Sequence, residues 1–250
     1  MNVRTPRKGV GHWYDDHLEV IDALGSGWYY NWGPRPAAGA STVQAEFVPM
    51  VWNGASAGDE DFAHVKTAGY GALLGFNEPD LDGQANMTVD EAAEYWPRLE
   101  ATGLRLGSPA PAESPWLHEF MAKAGTRGLR VDFLCLHWYG DITKPDPVGG
   151  LRGFLEGYWE RYRLPVWLTE FSGSAMWGKV PSVEDNARFA AESVEMLESL
   201  PFLERYAWFA PLVPADDDFG PTVALCAPDG SLTPVGLAWR AAPGNMVKPT

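Results

Sequence analysis

The chain has 250 residues, 46% apolar and 21% charged, a balance that allows a sizeable core within one domain and rules against disorder. A net charge of −14 repels phosphate backbones and anionic lipid, so nucleic acid and membrane are excluded as expected partners and a neutral ligand is favoured. The two cysteines, Cys135 and Cys226, make no disulfide framework, and no stretch approaches the 18 apolar residues of a membrane span.

In chain order, short β-like runs alternate with helical stretches. The runs are KGVGHW (8–13), GWYYNW (27–32), FVPMVW (47–52), GALLGFNE (71–78), LRLGSP (104–109), DFLCLHW (132–138), PVWLTEF (165–171) and RYAWFAP (205–211). Helices with readable starts lie between them: Thr88 with Glu91 forms a capping box, Ser114-Pro115 an N-cap and first-turn proline, and Ser182 with Asp185 a second box. The connections at 33–46 and 53–70, rich in Gly, Pro and Ala, predict stunted helices. After the eighth run, Pro228-Asp229-Gly230 predicts a hairpin, and Pro234 starts a last helix. Eight strands with mostly helical connections predict an α/β fold, a TIM-like (β/α)8 barrel of residues 1–250 with some shortened or missing helices.

In such a barrel the active site lies at the C-terminal ends of the strands. Two glutamates close apolar strands there: Glu78 after Leu73, Leu74 and Phe76, and Glu170 after Val166, Trp167 and Leu168. Strand alternation predicts that Leu74 and Phe76 share the inner face with Glu78, and Val166 and Leu168 with Glu170, leaving Trp167 to pack outward. Two carboxylates facing each other across a pocket are what glycoside hydrolysis needs, one to protonate the leaving oxygen and one to attack or to activate water. His137 and Tyr139 close the neighbouring sixth strand and are candidates to orient Glu170 or to meet substrate. Twelve Trp residues supply candidate sugar platforms at strand ends. Trp32, Trp52, Trp138 and Trp208 are named for that role, with Asn31 and Trp177 as further substrate-binding candidates.

Other chemistries lack their spacing. His118-Glu119 has no second histidine four residues on, Asp216-Asp217-Asp218 does not follow a calcium loop, and there is no P-loop, no G-x-S-x-G and no Cys/His ligand set. No metal and no cofactor are expected.

The ordered blocks YYNWGPRP, FVPMVW, GFNEPD, LGSPAPA, DFLCLHWYG and LPVWLTEFS resemble the small (β/α)8 glycoside hydrolases of family 128, over roughly residues 8–212. That resemblance implies a retaining, clan A-like β-1,3-glucanase acting on laminarin-type glucan, with Glu78 as acid/base and Glu170 as nucleophile. It also implies that Asn77 bonds the sugar 2-hydroxyl. Glu78 is then expected to titrate high and Glu170 low. The expected enzyme is endo-acting and monomeric, secreted or extracellular with its leader absent from this chain, with a cytoplasmic location left open. The alternatives are a clan A-type hydrolase of another β-glycan, such as β-1,4-glucan or mannan, and a non-catalytic β-glucan-binding barrel.

Overall fold

The computed structural model describes residues 5–112, 114–173, 179–213 and 220–242. Eight parallel strands occur in chain order: β1 (Thr5–Gly11), β2 (Ser26–Tyr30), β3 (Glu46–Phe47), β4 (Ala72–Leu73), β5 (Arg105–Leu106), β6 (Leu134–Trp138), β7 (Val166–Phe171) and β8 (Leu203–Trp208). The ladders join β3-β2-β1-β8-β7-β6 and, separately, β4-β5. Parallel bridges Met50↔Leu74 and Gly107↔Phe133 link β3 to β4 and β5 to β6, so the ring closes as a (β/α)8 barrel.

Strands β3, β4 and β5 are shorter than the sequence runs that predict them. Pro49, two residues past β3, and Pro109, three past β5, have no N–H to give to a ladder, and pairing continues beyond them as single bridges. Gly75 lets β4 and β5 approach: a Cβ there would stand 2.9 Å from the Gly107 carbonyl oxygen and the Pro109 nitrogen.

The helices are α1 (Glu19–Ala23), α2 (Asp59–Thr67), α3 (Val89–Glu100), α4 (Ser114–Arg127), α5 (Pro147–Tyr162), α6 (Val183–Glu198) and α7 (Pro234–Ala241). The connection from β2 to β3 carries only a 3₁₀ turn, Ala40–Thr42, as its composition predicts. The next one corrects the prediction: α2 runs for nine residues, its first turn fixed by Gly58 N–H donating to the Asp61 carboxylate at 3.0 Å. Both capping boxes form, Thr88 with Glu91 before α3 and Ser182 with Asp185 before α6. The tail hairpin closes through the antiparallel bridge Cys226↔Leu232, and Pro234 opens α7.

Which residues face inward is settled by contacts across the ring. Trp167 on β7 lies 5.4 Å from Trp28 on β2, two strands intervening, and stacks on Phe133 at 4.3 Å. These rings belong to one buried cluster with Tyr30, Val48, Met50, Ala72, Leu74, Cys135 and Ala207, which is the barrel interior. Leu134, Leu136, Val166, Leu168, Phe171, Tyr206 and Trp208 join the helices in a second cluster outside the ring.

The prediction for β7 is therefore inverted, since Trp167 fills the barrel while Val166 and Leu168 pack against helices. On β4, Leu74 faces inward as expected, but Phe76 packs outward against Trp96 at 5.8 Å.

Candidate active site

Glu170 reaches the interior through an irregularity. Leu136 pairs with Leu168 and His137 with Glu170, so Thr169 is an extra residue in β7, and the β8 ladder shifts at the same place. A bulge of this kind reverses the alternation. Trp167 and Glu170 thus share the inner face although they are three residues apart.

Glu78 is aimed differently. Its backbone has φ 40°, in the left-handed region that costs a non-glycine residue on the order of 1 kcal/mol or more. Asn77 N–H donates to the Trp52 carbonyl at 3.0 Å and Glu78 N–H to the Ala110 carbonyl at 2.8 Å, which pins the strained step between the ends of β3 and β5. Trp32, at φ 60°, is the second such residue in the pocket.

These residues line a cavity of about 330 Å³, walled by Trp13, Trp32, Trp52 and Phe209 and floored by Asn77, Glu78, Gln84 and Glu170. A larger groove of about 950 Å³ lies outside the ring between the loop after Glu78 and α4; it contains Asp80, Asp90 and Glu119 but neither strand-end glutamate.

Glu170 is 4% exposed and richly supplied with donors. Its Oε1 accepts from the Tyr30 hydroxyl and from Trp32 Nε1–H, both at 3.0 Å, and its Oε2 accepts from the Tyr139 hydroxyl. Burial pushes the Glu170 carboxyl above its ordinary value and the charge of Glu78 adds to this, against the pull of His137 and of the two tyrosine hydroxyls. The expectation that Glu170 titrates low is thus reversed. Burial lowers the basicity of His137, but Glu170 and Glu78 together outweigh it and hold the imidazole above its usual range. Its Nδ1–H donates to Glu78 Oε1 at 2.9 Å, and its Nε2 lies 3.4 Å from Glu170 Oε1 without a hydrogen-bonding angle. Burial and the same carboxylates push the Tyr30 and Tyr139 phenols well up, so both remain donors.

One ligand atom from each of Glu78, His137 and Glu170 lies within 4.8 Å of the others, close enough to hold a small cation. The imidazole shares a hydrogen bond with Glu78 through Nδ1 and only faces Glu170 through Nε2, so its proton link is to Glu78.

The other predicted residues divide. Asn77, Trp32 and Trp52 meet the glutamates in the cavity, and His137 and Tyr139 bond them from β6. Trp208 is fully buried, its indole N–H given to the Val223 carbonyl at 2.9 Å, so the sugar-platform role is corrected to outer-core packing. Trp138 likewise turns outward and stacks on Phe189 at 5.5 Å, away from the glutamates. Asn31 uses both ends of its amide on its own loop, accepting from Gly33 N–H and donating to the Arg35 carbonyl, which corrects its assignment to substrate. Trp177 and Asp216–Asp218 lie outside the described residues.

Sequence reading missed Trp13, Tyr30, Gln84 and Phe209. Strand alternation could have found Tyr30, Phe209 and Trp13, which keep the inner parity of Trp28, Ala207 and Gly11; for Gln84 no strand pattern exists.

A parallel eight-stranded barrel, two buried glutamates at the C-terminal strand ends and a cleft walled by aromatic rings define a glycoside hydrolase. Residues 11–239 match the glycosyl hydrolase catalytic core family. The chain belongs to that family and, at 38% identity over 95% of its length to a family 128 enzyme, to glycoside hydrolase family 128.

A subgroup I endo-β-1,3-glucanase of family 128 from Amycolatopsis mediterranei, solved with laminaritriose, is 38% identical with a TM-score of 0.86, over 95% of this chain and 100% of that one. Variants of that enzyme with a glutamate replaced have been crystallised with other laminari-oligosaccharides. A subgroup II endo-β-1,3-glucanase from Sorangium cellulosum is 29% identical with a TM-score of 0.81, over 95% of this chain and 98% of that one. Alkali-sensitive linkage protein 1 of Schizosaccharomyces pombe is 32% identical over 225 residues, 85% of this chain; the chain spans 39% of that relative's length. Among the described residues no helix is long and apolar enough to cross a membrane.

Proposed function

We propose that this chain is an endo-acting β-1,3-glucanase working by a retaining double displacement, with Glu170 as nucleophile and Glu78 as acid/base. The observation that carries the mechanism is that one oxygen of each carboxylate lies within 4.8 Å of one on the other, a close oxygen–oxygen approach that supports a short separation of the two groups. Retaining enzymes hold theirs at about 5–5.5 Å, whereas inverting enzymes need about 6.5–9.5 Å to admit a water between them. The β-1,3-glucan substrate is supported by the family 128 neighbours, two of which are endo-acting on that polymer.

In the first step Glu170 attacks the anomeric carbon while Glu78 gives its proton to the glycosidic oxygen. The carbon–oxygen bond to the departing sugar breaks as the ester to Glu170 forms. In the second step water attacks the same carbon, Glu78 takes its proton, and the ester bond breaks to restore the Glu170 carboxylate. Tyr30, Trp32 and Tyr139 place donors on the oxygens that carry charge before attack and after release. His137, facing both carboxylates, compensates their charges as the proton moves on and off Glu78.

The same reading takes the enzyme as a monomer whose 250 residues form one catalytic domain. A polymeric substrate places its action outside the cell. Product analysis on laminarihexaose tests the assignment: internal cuts with β-configured new reducing ends are expected. Stepwise loss from one end would refute endo action, α-configured products retention, and cleavage of mannan or β-1,4-glucan in preference to laminarin the substrate.

A further inference from the structure

The oxygen end of the Asn77 amide is identified by its neighbour. Trp32 Nε1–H can only donate, and it sits 3.2 Å from Oδ1. The opposite end is therefore the NH2, which donates to Gln84 Oε1 at 3.2 Å. The same indole N–H is also 3.0 Å from Glu170 Oε1, so one proton is shared between the amide and the nucleophile. A single row of hydrogen bonds thus runs from Gln84 through Asn77 and Trp32 to Glu170.

Both neighbours of Asn77 in this row are seated by backbone. Gln84 N–H donates to the Leu81 carbonyl at 3.0 Å, and Ala85 N–H returns to the Asn77 carbonyl at 3.1 Å, folding the loop back over the strand end. The Trp32 ring lies over Gly11, where a Cβ would stand 2.5 Å from it.

We propose that Gln84 and Trp32 are positioning residues that fix the rotation of the Asn77 amide and so set how the pocket meets the sugar 2-hydroxyl. This rests on the retaining-glucanase reading above. Asn77 Oδ1 and Glu170 Oε1 are both acceptors served by one donor, and without the indole proton between them they repel. The amide torsion is broad, so an unrestrained Asn77 turns its NH2 toward the carboxylate instead. Gln84 Oε1, which accepts from that NH2, favours the same orientation from the other end. The 2-hydroxyl then meets a carboxylate and an amide already oriented for it, and the contact that strengthens in the transition state needs no rearrangement.

The test uses 2,4-dinitrophenyl β-laminaribioside and its counterpart lacking the 2-hydroxyl on the ring that bears the aryl group. Gln84→Met keeps length and loses the acceptor; Trp32→Phe loses the indole N–H. Each should cost the full substrate about tenfold more in kcat/KM than it costs the 2-deoxy substrate, roughly the value of one hydrogen bond; Trp32→Phe, which also takes a donor from Glu170, should lower both. The double variant should lose little more than the worse single one, because both act on one row. Trp32→Phe should also move the acidic limb of the pH profile upward, as Glu170 loses a donor, whereas Gln84→Met should not. Equal losses on both substrates, or none, overturn the positioning role. Gln84, half-buried on a loop, keeps the test alive if Trp32→Phe folds poorly. A wild-type enzyme that fails to cleave the full substrate overturns the glucanase reading and this role with it; equal losses in an active enzyme overturn this role alone.

Discussion

A carboxylate oxygen of Glu78 and one of Glu170 lie within 4.8 Å of each other, with the His137 ring touching the first and facing the second. The spacing fits attack by one carboxylate and proton transfer by the other, and their surroundings support the proposed roles. Glu170 receives Tyr30, Trp32 and Tyr139, while Glu78 has His137 alone among the described side chains.

Removing each carboxylate should therefore fail differently. Glu78→Ala should slow cleavage of laminari-oligosaccharides by about 10²–10⁴, yet spare the first step on an activated aryl glycoside whose leaving group needs no proton. Glu170→Ala should abolish turnover of both. Added azide should give the β-glycosyl azide from the first variant and the α-anomer from the second, read by NMR. The reverse pattern would exchange the two roles.

Tyr30→Phe should shift the acidic limb of the pH–kcat/KM profile to higher pH. A nucleophile works ionised, and the Glu170 carboxyl proposed for that role already lies above the ordinary range because it is buried beside Glu78. The Tyr30 hydroxyl pulls it down, so deleting that hydroxyl raises it further. A profile with an unmoved acidic limb would show that Glu170 does not set it.

Much of this site was readable in alternation once the reference residue was right. Cys135 on β6 and the preceding Phe133 face inward, and the same parity places His137 and Tyr139 inward and Trp138 outward; proposing Trp138 for the pocket with the other two ignored its opposite parity. On β8 the inward Ala207 points to Phe209, not Trp208. The glutamates themselves obscured the count. Each sits at a break in regularity, Thr169 as an extra residue before Glu170 and a left-handed backbone at Glu78, so extrapolating from Glu170 gives the wrong face for Val166 and Leu168, while Phe76 turns outward because alternation has already broken after the inward Leu74. Eight strands and both capping boxes were legible because they depend on local pattern, whereas a bulge is set by the ladders on either side.

Trp52 and Trp208 make that distinction measurable. Trp52→Ala, which strips one wall of the cleft, should raise KM for laminarihexaose several-fold with little change in melting temperature, the loss of one ring's stacking area. Trp208→Ala should destabilise the fold by about 3–5 kcal/mol, since that ring is fully buried among Phe171, Phe189 and Trp239. Its folded fraction should keep a wild-type KM. A wild-type melting temperature for Trp208→Ala would contradict the outer-core assignment.

His137→Asn should expose a pH-dependent share of stability. Burial disfavours the imidazolium, but Glu170 and Glu78 more than offset this and hold its pKa above the usual value. A histidine raised in the folded state adds stability that is fully present below its unfolded pKa of about 6.5 and is lost as pH climbs through the raised folded value. Near pH 6 the variant leaves two buried carboxylates without their cation and should be less stable by on the order of 3 kcal/mol. Above the folded pKa the wild-type ring is neutral and compensates them no better. The gap in melting temperature should therefore close steadily from pH 6 toward pH 9. A constant gap would mean that His137 contributes packing alone, and a widening one that its imidazole is neutral throughout.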